Sequence, residues 1–112
     1  LDMQKKVRTV YLSPKIREYI LDLVEATRGV NKDIQGVKYL KYGAGVRASI
    51  YLGIGAKARA LMQGRNYVLP DDVYYVVPNI FRHRLALNYR GKAHNISSEK
   101  ITDEILSKVN PL

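Results

Sequence analysis

The 112-residue chain has no cysteine, no tryptophan and only two histidines, His83 and His94. Without cysteine there can be no disulfide framework and no metal site built from thiolates. Two histidines that lie apart in the sequence are too few for a zinc centre, so we expect no metal-binding residues. No apolar run reaches the length of a membrane span and no signal peptide is visible, which favours a cytoplasmic location.

The sequence also lacks a nucleotide-binding loop of the form GxxxxGK[ST]. In such loops, backbone N–H groups and the lysine hold the phosphates of a bound nucleotide. We therefore expect this chain by itself to hold neither ATP nor Mg²⁺, and to hydrolyse no ATP. The first residue is Leu1 and not methionine, which favours a fragment of a longer protein.

Basic residues outnumber acidic ones by 19 to 10, and the formal net charge is +9. Such a balance is typical of proteins that bind nucleic acid or acidic membranes. Here, however, the lysines and arginines are dispersed along the chain. The contents of 46% hydrophobic and 26% charged residues are ordinary for a soluble protein, and the length corresponds to one domain.

A first helix follows a short run of β-branched and aromatic residues. This run, Val7 to Leu12, favours one short β element near the N-terminus. Ser13 and Pro14 then form a strong helix start, because serine caps a helix and proline suits its first turn. Gly29 is suited to end the helix. Between these points, residues recur at helical spacing on one side: Ile16, Ile20, Leu23, Val24 and Thr27.

A second helix is predicted from Val46 to Gln63, ending at Gly64. Its apolar residues lie on more than one side, which predicts a central position in the fold. One stripe is Ile50, Ile54, Ala58 and Leu61, and further apolar surface comes from Ala48, Leu52, Ala56 and Ala60. Gly53 and Gly55 are poor helix formers, so we expect them to let another backbone approach closely.

The remaining predicted helices are shorter. Pro70 marks the first turn of a third helix, and Pro78 is expected to limit it to about two turns. Residues Phe81–Leu87 are predicted as a further short helix, and Ser97 or Ser98 as the cap of the last one. The predicted fold class is mainly α: a small bundle of four to five helices with one short β element.

The most informative motif is GAGVRAS, from Gly43 to Ser49, in which a glycine-rich turn opens the second helix. The free N–H groups and the positive dipole at a helix N-terminus favour an anion. Arg47, in the first turn, adds a permanent charge with a planar fork suited to phosphate oxygens. The candidate phosphate-contacting residues are Gly43, Ala44, Gly45, Val46 and Arg47, with Arg47 as the candidate catalytic residue.

Five segments, in order, resemble the C-terminal lid of AAA+ ATPases of the MoxR group. They are YILDLVEATR (19–28), GAGVRAS (43–49), AKARALMQGRNYVLPDDV (56–73), FRHRLAL (81–87) and the closing helix. Each segment alone is weak evidence for the family, whereas five segments in the correct order and spacing are specific evidence for it. The motif departs from the family at Gly45 and Val46, where serine and then a small residue or proline are more common. The resemblance implies that residues 1–112 form a single lid domain whose P-loop domain lies upstream.

The resemblance also implies specific roles. Arg47 matches the second sensor arginine, which reaches from the lid toward the terminal phosphates of ATP. ATP and Mg²⁺ would be bound in the full-length protein, between the lid and its own N-terminal P-loop domain. The family implies a homo-oligomeric ring, expected as a hexamer, that acts like a chaperone on partners often carrying von Willebrand factor A domains. Lid rotation in such rings converts the nucleotide state into motion.

Other assignments stay open at the level of the sequence. His83 with Arg84 could bind a phosphate or a ring neighbour, or could form a structural hydrogen-bonding pair. The competing function is a basic DNA-binding domain of histone-like or helix-turn-helix type, since segment 56–77 is similar to such units. Asp71 and Asp72 argue against it, because they would repel phosphates and base edges at the start of the third helix. We expect no specific nucleic acid as a partner, and a plain protein-docking module is a third interpretation.

Overall fold

The computed structural model describes residues 2–29 and 33–109, without the side chains of residues 2–4. Helices dominate this part of the chain, and the predicted, mainly α fold class is confirmed. The helices are α1 (Asp2–Thr9), α2 (Pro14–Ala26), α3 (Val46–Met62), α4 (Pro70–Arg82), α5 (Tyr89–Ala93) and α6 (Ser98–Lys108). Two short strands, β1 (Leu40–Tyr42) and β2 (Ala86–Leu87), pair antiparallel. Within the described ranges, no helix is both long and apolar enough to span a membrane.

The β element expected over Val7–Leu12 is reduced to a single bridge. Helix α1 occupies the first part of this segment, and Tyr11 pairs in parallel with Tyr67. The N–H and the carbonyl of Tyr11 bond to the backbone on either side of Tyr67, at 2.8 and 2.9 Å. The preference of Val7 for strands is weak, and the packing of α1 against α3 outweighs it.

Helix α2 begins and ends where the sequence predicts. The Ser13 side chain accepts a hydrogen bond from the Ile16 N–H at 3.3 Å, and Pro14 takes the first helical position. Gly29 follows the helix with a φ of +82°, a left-handed conformation that glycine adopts without strain. The side of α2 that faces the core comprises Ile16, Tyr19, Ile20, Leu23, Val24 and Ala26.

Helix α3 lies at the centre of the fold, as predicted, and packs against α1, α2 and α4. Residues spaced one turn apart are completely buried along its inner side: Ala48, Leu52, Ala56 and Ala60. Because alanines dominate this stripe, the neighbouring helices can approach closely. On the outer side, Ile50 and Ile54 remain 57% and 52% exposed. Leu61, further along the same side, is partly buried against the core, whereas every fully buried residue of α3 lies on the inner side.

The expectation for the two glycines of α3 is wrong. A Cβ at Gly53 would meet nothing within 4 Å, and one at Gly55 would contact the side chain of Val76 at 3.5 Å. Gly53 is half-buried beside a groove toward α2, and no atom of the described residues comes within 4 Å of the position of its Cβ. Gly55 faces α4, and the nearest atoms there belong to a side chain and not to a backbone.

Helix α4 continues through Pro78 and ends at Arg82, so it is longer than predicted. Proline removes one helical hydrogen bond and its ring crowds the preceding turn, at a cost of about 3 kcal/mol. Val77 and Phe81, on either side of it along the helix, are fully buried, and burying two such side chains contributes about 3–6 kcal/mol. Core packing therefore outweighs the proline. The short helix predicted over Phe81–Leu87 is also wrong, because this segment completes α4 and then forms β2.

The sheet and α6 form the C-terminal side of the fold. In the sheet, Leu40 opposes Leu87 and Tyr42 opposes Ala86. Ser97 caps α6, as the sequence predicts, since its hydroxyl oxygen accepts a first-turn N–H at 3.1 Å. The last helix thereby starts at a defined residue and packs against α4 and α2.

Glu104 of α6 connects distant parts of the chain. Its carboxylate oxygens accept hydrogen bonds from the N–H groups of Gln35 and Gly36, each at 2.8 Å. These two N–H groups open the 3₁₀ helix Gly36–Tyr39, which leads directly into β1. The position of β1, and of the glycine-rich motif that follows it, therefore depends on α6.

Candidate functional site

The glycine-rich motif forms the connection between β1 and α3. Gly45 is the N-cap residue of α3, with a φ of +82° and a ψ of 166°, a conformation that residues with a side chain rarely adopt. No side chain in the described ranges caps this helix, so the N–H groups of its first turn have no side-chain acceptor. Arg47 is the second residue of α3 and is exposed. The structure thus places an exposed arginine in the first turn of an uncapped helix.

The start of the motif is fastened to the end of α2. Ala44 is buried, and its N–H donates to Thr27 Oγ1 at 2.9 Å. Gly43 lies so close to α2 that a Cβ there would come within 2.8 Å of Thr27 Oγ1 and 2.9 Å of the Thr27 carbonyl oxygen. Glycine is therefore required at position 43 by packing and at position 45 by backbone conformation. These residues determine the path of the backbone that leads to Arg47.

The charge of Arg47 is unfavourably placed for the stability of α3. The positive end of a helix dipole lies at its N-terminus, where an anion contributes about 0.3–1 kcal/mol and a cation has the opposite effect. The first turn of α3 contains no acidic residue, and no salt bridge among the described residues involves Arg47. The N–H groups, the dipole and the guanidinium therefore form one positive site that an anion would neutralise.

An apolar surface continues from the motif along the outer side of α3. Val46 is 76% exposed, and Ile50 and Ile54 follow it at intervals of one turn. A groove of about 320 Å³ lies between this side and α2, and its lining includes Arg17 and Lys57 beside apolar residues. An exposed apolar surface on a central helix is typical of an interface with another protein surface.

His83 and Arg84, whose roles the sequence left open, lie in different environments. His83 is the C-cap residue of α4 and is exposed. Arg84 is half-buried, and its guanidinium lies 4.8 Å from the centroid of the Tyr51 ring, which is a cation–π contact. Tyr51 follows Arg47 by one turn of α3, so the two side chains share a side of the helix. Arg84 is therefore held beside the part of α3 that carries Arg47.

The two aspartates at the start of α4 also differ. Asp71 is exposed in the first turn, where it favours the helix dipole. Asp72 is fully buried, and its carboxylate accepts hydrogen bonds from Arg65, Arg59 and the Leu69 N–H. Burial raises the pKa of Asp72, but the hydrogen bonds, chiefly from Arg65, outweigh burial and hold this pKa below its usual range. This cluster is structural and lies at the opposite end of α3 from the glycine-rich motif.

Comparison with known proteins identifies the family. A sequence profile described as AAA lid domain matches residues 38–105, which include the glycine-rich motif, the central helix and most of α6. The chain belongs to the AAA lid domain family. The resemblance to the lid of MoxR-group AAA+ ATPases is thereby confirmed, and relatives that align with nearly the whole chain agree with it.

Two curated relatives and one solved structure match this lid over almost all of its length. It is 34% identical to the chaperone MoxR1 of Mycobacterium tuberculosis, over 97% of the chain and 29% of the relative. It is 36% identical to protein YeaC of Bacillus subtilis, over 96% of the chain and 31% of the relative. A crystal structure of a protein from Cytophaga hutchinsonii, provisionally described as an ATPase, has a TM-score of 0.89 at 39% identity, over 98% of the chain and 34% of that structure. The lid thus spans about a third of the length of these relatives.

Thr27 contacts the glycine-rich motif, and the sequence alone does not predict this contact. It recurs at helical spacing with the apolar residues of α2, so the pattern assigns it to the core, and the structure confirms that it is only 3% exposed. The pattern gives no indication of its hydrogen bond to Ala44, which lies 17 residues further along the chain. A buried threonine is a weak signal for such a contact, because many threonines bond only to the carbonyls of their own helix.

Proposed function

We propose that this lid works in an AAA+ ATPase, where Arg47 contacts the terminal phosphates of ATP and stabilises the charge that develops on them. The observation that carries the proposal is the place of Arg47, exposed in the first turn of an uncapped helix with no acidic residue in that turn. Fixed cations and N–H groups stabilise such developing charge most effectively. Gly43, Ala44, Gly45 and Val46 form the backbone that presents the arginine and the helix end.

ATP and Mg²⁺ are proposed to bind in the full-length protein, between this lid and a P-loop domain on its N-terminal side. The exposed apolar side of α3 supports this arrangement, because it continues from Arg47 and includes Val46 and Ile50. We assign that side to the contact with the lid's own ATPase domain. Closure of the lid over ATP would bring Arg47 to the phosphates, and its release after hydrolysis would transmit motion through the protein.

The family resemblance supports further proposals about the full-length protein. They are a homo-oligomeric ring, expected as a hexamer, a cytoplasmic location, and chaperone-like action on a partner such as a von Willebrand factor A domain protein. The MoxR1 relative is named a chaperone. No residue of the lid identifies the client, so these proposals concern the class of machine and not a particular substrate.

The DNA-binding alternative has no support from the described surface or the comparisons. The start of α4 carries Asp71 exposed to solvent, and two arginines near this helix are bound to the buried Asp72. We therefore expect only weak association with DNA, which counterion release produces without sequence preference and which salt abolishes. Sequence-dependent binding that persists at roughly 0.2 M salt would favour the alternative instead.

The decisive experiment replaces Arg47 in the full-length protein. Arg47→Ala is expected to lower ATP turnover at least roughly tenfold, which corresponds to about 1.4 kcal/mol of barrier. The measurement is phosphate release at saturating ATP and Mg²⁺. The matched control is Arg8→Ala, an exposed arginine on α1, where we expect unchanged turnover. Unchanged turnover in Arg47→Ala, or an equal loss in both variants, would contradict the proposal.

A complementary experiment uses the 112-residue chain alone. With ATP and Mg²⁺ it should release no more phosphate than a buffer blank, because it lacks the phosphate-binding loop. Addition of the separately expressed P-loop domain should restore turnover that depends on Arg47. Turnover by the purified lid alone would contradict the proposed division of labour between the two domains.

A further inference from the structure

We propose that Thr27 is a positioning residue for Arg47, because its hydroxyl fastens the glycine-rich connection to the C-terminal end of α2. The inference rests on the proposed function, in which Arg47 contacts the phosphates of ATP. It concerns the C-cap residue of α2, twenty positions before the arginine in the sequence. Thr27 itself has no part in the chemistry and acts only through the backbone of the motif.

The hydroxyl group of Thr27 has a defined orientation. Its hydrogen is donated to the Val24 carbonyl at 2.6 Å, so its lone pairs are directed away from α2. The Ala44 N–H donates to the same oxygen at 2.9 Å. Thr27 is 3% exposed and Ala44 is 4% exposed, so water does not compete for either bond. The buried hydroxyl thus acts as donor and as acceptor at once, and it holds the glycine-rich segment between β1 and α3 in one place.

Packing reinforces the hydrogen bond at the preceding residue. A Cβ at Gly43 would approach the Thr27 hydroxyl oxygen and carbonyl oxygen to 2.8 and 2.9 Å. The backbone of the motif therefore lies so close to Thr27 that there is no room for a Cβ at position 43, and glycine alone fits without a shift. Any residue with a side chain at position 43 would push the connection away from α2.

Only one residue separates the fastened Ala44 from the helix that carries the arginine. That residue is Gly45, which has a φ of +82° and directly precedes the first residue of α3. A connection with two glycines is intrinsically flexible, so the fixed N–H of Ala44 limits the directions that the first turn of α3 can take. Arg47 lies in this turn, and a displacement of about 1 Å in a contacting group is enough to reduce catalysis strongly.

The test is a double-mutant cycle in the full-length protein. Thr27→Val keeps the shape of the side chain and removes the hydroxyl, whereas Thr27→Ser keeps the hydroxyl. We expect Thr27→Val to lower ATP turnover about tenfold and Thr27→Ser to retain it within about twofold. In an Arg47→Ala background, Thr27→Val should cause no further loss, because it acts through the arginine. Thermal melts should show the same loss of stability in both backgrounds, which separates the structural effect from the positioning effect.

The outcomes distinguish the inference from the function on which it rests. Unchanged turnover in Arg47→Ala alone overturns the proposed function. A large loss in Arg47→Ala, together with a Thr27→Val variant that is fully active or whose loss is equal in both backgrounds, overturns the role of Thr27 only. Should Thr27→Val fail to fold, Gly43→Ala displaces the same contact from the other side. It should lower turnover in the native background and not in Arg47→Ala, and equal losses would again overturn the inference.

Discussion

Asp72 accepts two hydrogen bonds from the Arg65 guanidinium, with Nη1 to Oδ2 at 2.7 Å and Nη2 to Oδ1 at 2.8 Å. This two-fold contact fixes the turn between α3 and α4. Arg59 of α3 adds a third bond at 3.0 Å, and the Leu69 N–H a fourth at 2.8 Å. Since Asp72 is completely buried and both arginines are largely covered, the carboxylate is the point at which two helices and their connecting turn are joined.

We predict that Asp72→Asn strongly destabilises the lid. Asparagine cannot neutralise the two arginines, and breaking a buried ion pair on one side costs about 3 kcal/mol. Urea denaturation of the 112-residue chain measures the loss. Asp71→Asn is the matched control, because its carboxylate is exposed, and we expect a change within about 0.5 kcal/mol. Similar losses for the two variants would show that helix-dipole charge, and not the arginine cluster, is the important factor.

We predict that the contribution of Asp72 to stability disappears in acid. Its pKa in the folded protein lies below its usual value, whereas the unfolded chain has a pKa of about 3.9 at this residue. The contribution is fully present above the unfolded pKa and is lost as the pH falls through the folded pKa. The difference in unfolding free energy between the native chain and Asp72→Asn should therefore shrink in urea titrations below about pH 4. A difference that stays constant on acidification would contradict the assignment.

Helix α3 illustrates what the sequence predicts and what it cannot. Its start after Gly45 and its end before Gly64 agree with the prediction to within one residue, because glycines mark both ends locally. Which apolar side faces the core could not be predicted, since Ile50 is more hydrophobic than the buried Ala48. The choice depends on how closely neighbouring helices approach, which is a property of the whole fold.

The two main errors have the same physical origin. The pattern at Pro78 predicts a helix end, and the strand preference of Val7 predicts a β element. In both cases a local preference of a few kcal/mol or less is outweighed by tertiary packing: of α1 against α3 in one case, and of Val77 and Phe81 in the core in the other. The contact of Thr27 with Ala44 is harder still to predict, because it joins residues that only the folded chain brings together.

We predict opposite effects for alanine at two glycines. At Gly36, a Cβ would lie 2.8 Å from Glu104 Oε1 and 3.1 Å from Ile101 Cγ1, so Gly36→Ala displaces the carboxylate that caps the 3₁₀ helix. The expected loss is about 0.5–1.5 kcal/mol, the net contribution of a typical hydrogen bond, because Gln35 is exposed and Gly36 only half-buried. Gly53 lies within α3, and a Cβ there would meet no atom within 4 Å. Because alanine forms helices more readily than glycine, Gly53→Ala should stabilise the chain by up to about 1 kcal/mol. Chemical denaturation compares the two variants, and a stabilising Gly36→Ala would contradict the role of Glu104.

Arg47 is expected to lower the stability of its own helix. A cation at the N-terminus of α3 opposes the helix dipole, so Arg47→Glu should stabilise the isolated lid by about 0.3–1 kcal/mol, and Arg47→Ala should stay within about 0.5 kcal/mol. The gain should disappear at roughly 1 M salt, where charges are screened. Lys108→Glu, in the last turn of α6, is the matched control with the opposite sign, because a cation favours a helix C-terminus.

In the full-length protein the order of the Arg47 variants should be reversed. Arg47→Glu places a negative charge against the phosphates of ATP, so its turnover should fall below that of Arg47→Ala, which in turn falls below the native protein. A residue that opposes the stability of its own helix and yet is needed for turnover is what a phosphate sensor requires. If Arg47→Glu destabilises the isolated lid, the helix end already has a compensating partner, and the arginine is structural. Two measurements distinguish a phosphate-sensing role of Arg47 from a structural one. They are urea denaturation of the lid at low and high salt, and phosphate release by the full-length variants.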